Sequence, residues 1–239
     1  VDLRRLSVAV TDWFRGLGSL FFPNVCLHCQ VATARASDLL CVGCEAQLPM
    51  TDNWRLPEND VTDRLAGRLP IVYGASAYTF REGTVCQQLI HALKYHHRPD
   101  VGRQLGQRFG EVLRQVPALT DVTGLVPVPI YDRRRHERGY NQAEAIAEGL
   151  GEALGKPTYA DALRRRSFQG SQTKRSKLER LENVQDSFAA GRGDFRQDHL
   201  VLVDDVLTTG ATLDFCGNVL LSRHPGLRLS VLTLAVAER

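Results

Sequence analysis

The stretch "HLVLVDDVLTTGATL", His199 to Leu213, decides the fold. Its first five residues are an apolar run of the kind a strand shows when both of its faces are covered. Thr208, Thr209, Gly210, Ala211 and Thr212 then form a small, hydroxyl-rich turn, and a helix is expected over Thr212–Ser222. Strand, turn and helix in that order gather backbone N–H groups and a helix N-terminus around an anion. Gly210 supplies the positive φ, or the close approach, that such a turn needs. In a parallel sheet the ligand crevice lies beyond the carboxyl ends of the strands, which is where this turn falls.

Two acids, Asp204 and Asp205, stand just before the turn. Carboxylates repel a simple phosphate, so a bare phosphate site does not account for them. They fit a ligand with a phosphate at one end and a vicinal diol at the other, because ionised carboxylates accept hydrogen bonds from sugar hydroxyls. A ribose 5-phosphate has both features, and the acids could also hold Mg²⁺ or its water shell. The competing reading makes the two acids caps for strand and helix. "LGEALGKPT" lacks the first Walker glycine and has Pro157 after Lys156, so it is not a P-loop.

Working outward, strands are expected at Ile71–Phe80, Gly124–Ile130, His199–Val203 and Leu227–Val236. Helices are expected at Thr84–Arg98, Pro99–Val116 and Asn141–Leu154, the last with Asn141 and Glu144 at capping-box spacing. Alternating strands and helices with apolar strands predict an α/β domain, a parallel sheet flanked by helices, over residues 71–239. Residues 1–48 are expected as an N-terminal helix plus a four-cysteine unit. Residues 49–70, polar and holding three prolines, are expected as a linker.

The 239 residues suffice for one sizeable core with an appendage, and 43% apolar content is ordinary for a globular protein. A net charge of +3 does not by itself argue for nucleic acid. Asp2, Arg4, Arg5, Asp12 and Arg15 break the N-terminal apolar pattern, which argues against a signal peptide or membrane span and for a cytoplasmic protein. Leu3, Leu6, Val10, Trp13, Phe14 and Leu17 recur there at helical spacing.

Two basic segments qualify to hold a diphosphate. "PVPIYDRRRHERGYNQ" places Arg133, Arg134, Arg135 and Arg138, then Gly139 and a capped helix, after a strand end. "LRRRSFQGSQTKRSKLER" has seven Lys/Arg against one acid, a local +6, and is expected as a loop that closes over leaving pyrophosphate.

"VLVDDVLTTGAT" resembles the phosphoribosyl pyrophosphate (PRPP) signature of type I phosphoribosyltransferases. "LKY", "VPVPIYDRRRHERGYNQA", "RSFQGSQTKRSKLERLENVQDSFA" and "VLVDDVLTTGATL", behind a four-cysteine unit, resemble the narrower ComF family. That resemblance covers nearly the whole chain and implies a phosphoribosyltransferase-like protein associated with DNA uptake in competence. It places Arg138, Gly139, Asn141, Gln142 and Gln172 on the pyrophosphate side, with Arg133, Arg134 and Arg135, and carries over Arg180 and Asn183 from the basic loop. Arg138, Lys174 and Arg180 are the candidate catalytic cations. Asp204, Asp205 and the Thr208–Thr212 turn take ribose and 5-phosphate, with Mg²⁺ accompanying PRPP.

Cys26-x₂-Cys29 and Cys41-x₂-Cys44 supply four thiolates in two knuckles, the pattern of a closed, structural Zn²⁺ site. His28 is a lesser candidate ligand, and a redox CxxC is the alternative. Cys86 and Cys216 are expected as small buried helix residues.

Three functions follow. The first is a ComF-like protein that binds PRPP and assists single-stranded DNA import with competence proteins. The second is a nucleobase salvage transferase, in which an acceptor attacks ribose C1 through an oxocarbenium-like state as pyrophosphate leaves. The third is a non-catalytic PRPP sensor. Against the second, the sequence ends directly after its last expected strand, so no C-terminal hood is expected. Against tight DNA stacking, aromatics are 7% and, Phe168 apart, are not interleaved with the basic loop.

Overall fold

The structure, a computed structural model, describes residues 24–35, 37–165 and 188–238. The expected N-terminal helix lies outside the described residues, and so does the basic loop expected over Leu163–Arg180 from residue 166 onward, its first three residues being strand. The chain forms two compact units, Val1–Leu48 and Pro49–Arg239.

In the first unit, Val25 bridges Ala32 and a short helix, α1 (Val42–Glu45), follows Cys41. Leu39, Leu40, Cys26 and Cys44 are buried.

The second unit is built on β1 (Tyr73–Phe80), β2 (Gly124–Pro127), β5 (His199–Leu207) and β6 (Arg228–Ala237), in spatial order β1-β6-β5-β2 with every pairing parallel. The β5 and β6 interiors, from Leu200 to Val203 and from Leu229 to Val236, are wholly buried, as their apolar runs require of a sheet covered on both faces. β3 (Leu163–Arg165) and β4 (Phe188–Ala190) form a separate antiparallel pair.

Helices α3 (Val85–Tyr95), α4 (Pro99–Leu113) and α6 (Gln142–Leu154) follow their expected segments, and α7 (Ala211–Arg223) follows the turn. α4 and α6 approach closely because Gly149 carries no side chain: a Cβ there would lie 1.9 Å from Arg103 O. Cys86 on α3 and Cys216 on α7 are both buried.

Three segments differ from expectation. Residues 49–70 join the second unit and carry α2 (Asp60–Leu65), whose Val61 and Leu65 are completely buried. Asn59 starts α2 with a capping box shared with Thr62, and its Nδ2 donates to Gly74 O of β1 at 2.9 Å. The prolines punctuate turns around this short capped helix; they do not loosen the stretch. "DRRRHER" is itself a helix, α5 (Asp132–Arg138), ended by Gly139 at φ 77°. At α6, Asn141 caps alone: its Oδ1 accepts from Ala143 N at 3.2 Å, while Glu144 turns to Arg135 at 3.5 Å.

Candidate functional site

β5 continues past Val203 through both acids to Leu207. Neighbours in a strand point to opposite faces, so the two carboxylates part company. Asp205 Oδ2 receives Lys94 Nζ of α3 at 2.8 Å, with both side chains mostly buried. Asp204 lies on the α7 side, within electrostatic range of buried Cys216 and of Arg165 from β3. Burial, with the Asp205 charge beside it, pushes Asp204 up to about 7, against the pull of Lys94 and Arg165. Each acid also accepts a local backbone bond: Asp205 N donates to Asp204 Oδ1 at 2.8 Å and Val206 N to Asp205 Oδ1 at 2.7 Å.

The turn that follows is held from outside. Arg64 Nη1 donates to Thr208 O, and Arg68 Nη2 to Thr209 O at 2.7 Å. Gly210 has φ 80°, and a Cβ there would stand 3.0 Å from Leu65 Cδ2. Both the conformation and the α2 side therefore demand glycine. α7 starts on Gly210 with no cap from that residue; Ala211 N donates to Thr209 Oγ1 at 3.4 Å, and the N–H groups that follow it in the first turn, with the exposed Thr208 and Thr209, are available to an anion.

The strand end of β2 brings the first basic segment to the same edge of the sheet, since Val128 N donates to Val203 O at 2.9 Å. Asn141 Nδ2 donates to Val128 O at 3.0 Å, which fixes the start of α6 there. Gln142 is 2% exposed; its Oε1 accepts from Arg138 Nη1 at 2.9 Å and its Nε2 is buried without a partner. The Arg138 guanidinium lies 5.6 Å from the Tyr95 ring centroid, and Tyr140 donates its hydroxyl to Leu93 O. Leu93, Lys94 and Tyr95 thus join the acid pair to the Arg138–Gln142 side.

Arg133, Arg134 and Arg135 are exposed along α5, with Arg133 paired to Glu137 at 2.9 Å and Arg135 reaching Glu144. Helical i,i+4 spacing makes the first of these pairs. Gln172, Lys174, Arg180 and Asn183 lie outside the described residues.

Three cations near the site carry no role in the sequence reading, Lys94, Arg64 and Arg68, and a fourth, Arg165, was read only as part of the basic segment. Lys94 stood within "LKY", but its distance from the acids in sequence hid the pairing. The Arg165 guanidinium lies 3.5 Å from the Tyr131 ring centroid and 4.7 Å from that of Phe188, and its Nε is buried without a partner.

In the first unit the Sγ atoms of Cys26, Cys29, Cys41 and Cys44 lie within 4.8 Å of one another, with Cys29 and Cys41 at 3.6 Å. A tetrahedral ion bound at about 2.3 Å sets its sulfurs roughly 3.8 Å apart, which this cluster fits. Burial raises Cys26, but backbone N–H groups of Cys29, Cys41 and His28 bring it down to about 6. Burial and the neighbouring sulfurs push Cys44 up to about 12. Four thiolates so close together need a cation among them, and His28 Nδ1, buried and unpartnered, stands by.

No family model matches the chain. Among curated proteins it is 35% identical over 92 residues to competence protein F of Haemophilus influenzae, across 38% of this chain and 40% of that one. It is 34% identical over 110 residues to competence protein ComFC of Bacillus subtilis, across 46% and 43%. The chain is similar to competence proteins F and ComFC over part of its length. The DNA utilization protein YhgH of Escherichia coli K12 is 31% identical over 141 residues, across 56% of this chain and 60% of that protein. The ComF-like chain therefore spans between 40% and 60% of the curated relatives it matches. Among solved structures, the glutamine PRPP amidotransferase of B. subtilis is similar at 21% identity and a TM-score of 0.40, over 59% of this chain and 30% of that one. The adenine phosphoribosyltransferase of Leishmania tarentolae is similar at 13% and 0.35, over 74% and 88%.

Proposed function

We propose that the protein binds PRPP, or a related ribosyl phosphate, at the carboxyl end of its sheet, and that it serves DNA uptake as its ComF relatives' names suggest. The observation that carries this reading is the junction of β5 and α7. A carboxylate with a cation at 2.8 Å stands beside a pre-set Thr/Gly turn and the N-terminus of α7. The turn and helix take the 5-phosphate, and Asp205 takes the diol. Arg138 and Gln142, with its free amide N–H, take the diphosphate side, where Mg²⁺ would accompany the ligand. Zn²⁺ in the four-cysteine cluster is structural. Single-stranded DNA and competence proteins are the proposed partners, and the cytoplasm the proposed location; no helix among the described residues is long and apolar enough to cross a membrane.

The test is calorimetric titration of PRPP with Mg²⁺ into zinc-loaded protein, alongside an Asp204→Asn/Asp205→Asn variant. Saturable binding to the parent and none to the folded variant is expected. Equal binding to both would end the ribose assignment. Turnover when nucleobases are added to the PRPP-bound protein would favour the salvage-transferase reading over a binding role.

A further inference from the structure

We propose that Lys94 is a positioning residue that fixes Asp205 as the diol acceptor, and that it thereby makes the site selective for ribosyl over 2-deoxyribosyl phosphates. The inference rests on the ribosyl-phosphate reading and adds the residue that sets its sugar specificity.

Lys94 sits in the last turn of α3, within "LKY" and far along the chain from the acids, yet its Nζ reaches Asp205 Oδ2 at 2.8 Å. Its side chain keeps 25% exposure and that of Asp205 16%, so solvent screens the pair far less than a surface one. The other oxygen, Oδ1, accepts from Val206 N at 2.7 Å. One oxygen is thus bound to the backbone and the other to a cation, which fixes the plane of the carboxylate. A fixed carboxylate is what reading a diol requires, because an acceptor free to rotate loses rotamer entropy with each ligand it binds.

Lys94 is itself held on both sides. The carbonyl of Leu93 accepts the Tyr140 hydroxyl, and the Tyr95 ring lies against the Arg138 guanidinium. The end of α3 is therefore tied to the elements that carry Arg138 and Gln142.

The charges around the acid pair come from several elements. Asp204 feels the charge of its strand neighbour Asp205, of Lys94 from α3 and of Arg165 from β3, and it lies within electrostatic range of the Cys216 thiol on α7. Lys94 and Arg165 are the cations that offset two adjacent acids. Without Lys94, Asp204, already raised by burial, loses one of the two cations that pull it down and keeps its proton to higher pH, while Asp205 loses the partner that fixes its plane.

The experiment compares Lys94→Met and Lys94→Arg with the parent, all zinc-loaded and checked for the parent's melting profile. The probes are ribose 5-phosphate, 2-deoxyribose 5-phosphate and inorganic phosphate, titrated between pH 5.5 and 8.5. The parent is expected to prefer ribose 5-phosphate over its 2-deoxy analogue by about 10- to 100-fold, the worth of one hydrogen bond to a charged acceptor. Lys94→Met is expected to lose most of that preference and to move the pH midpoint of ribose 5-phosphate binding upward, while keeping its affinity for inorganic phosphate. Lys94→Arg is expected to restore part of the preference. If the parent binds neither sugar phosphate, the ribosyl reading fails and this inference falls with it. If the parent discriminates and Lys94→Met discriminates equally with the same midpoint, the positioning role alone is overturned. Equal loss of all three ligands in Lys94→Met also overturns it, by making Lys94 a general support.

Discussion

The two ends of strands β5 and β6 treat polar groups in opposite ways. At the amino end, His199 is 1% exposed and fully paired: Nδ1 donates to Asp121 Oδ1 at 2.7 Å, and in the neutral ring Nε2 accepts from the Ser230 hydroxyl at 2.8 Å. Asp121 is further held by Arg228 at 2.6 Å. The grouping has the residue types of a catalytic triad, but Ser230 has no exposed surface, so no substrate reaches its oxygen. At the carboxyl end, the Asp205 charge adds to the burial that raises Asp204, and Gln142 Nε2, Arg165 Nε and Thr233 Oγ1 are buried without partners. Thr233 pairs in register with Asp204. One end has its polar accounts closed and the other leaves them open, which is how a site differs from a scaffold.

The largest effect expected from this contrast is at the closed end. His199→Ala removes the centre of the network, strands the Ser230 hydroxyl and opens a cavity between strands. Urea denaturation should show a loss of about 2–4 kcal/mol, with PRPP affinity unchanged in the folded fraction. A loss of affinity equal to that of the Asp204/Asp205 variant would show that the two ends are not separable.

The open end should reveal itself through pH. Asp204 is raised from about 3.8 to about 7, so between those values the folded state holds a proton that the unfolded chain releases. Stability then falls as pH rises across that window, by at most about 1.4 kcal/mol per pH unit. Asp121 has the opposite sign: His199, and then Arg228, bring it down to about 2, so its contribution is present above pH 4 and lost as pH falls toward 2. Denaturation curves from pH 4 to pH 8 should slope downward in the parent, and Asp204→Asn should flatten them. An unchanged slope in Asp204→Asn would mean that Asp204 is not the strained group.

Much of this was legible in the sequence, for physical reasons that differ by element. β5, β6, α4 and α6 were readable because buried strands and amphipathic helices write their periodicity locally. The turn itself was readable because small residues around a glycine suit a tight corner between strand and helix. α2 was obscured by prolines that mark turns in a linker and in a packed segment alike. Lys94, Arg64 and Arg68 were invisible as site residues because each reaches the β5–α7 junction from far along the chain. The split of Asp204 from Asp205 depended on the strand running on past Val203, which the loss of apolar residues concealed.

The smallest effect expected is the one that sharpens the contrast most. Arg228 is half exposed and bonds the outer oxygen of Asp121, whose own side chain is 53% exposed. An exposed pair of this kind contributes about 0.2–1 kcal/mol, since water and salt screen it and the arginine gains freedom when released. Arg228→Ala should therefore lower stability by less than 1 kcal/mol in urea denaturation, and less still at high salt. The Asp121–His199–Ser230 bonds do not need Arg228 to form, because His199 is enclosed by the strands themselves. A loss from Arg228→Ala as large as that from His199→Ala would mean that the charge on Asp121, tuned from the surface, governs the buried half of the network. The amino end would then be an electrostatic device like the carboxyl end, and pairing alone would not separate scaffold from site.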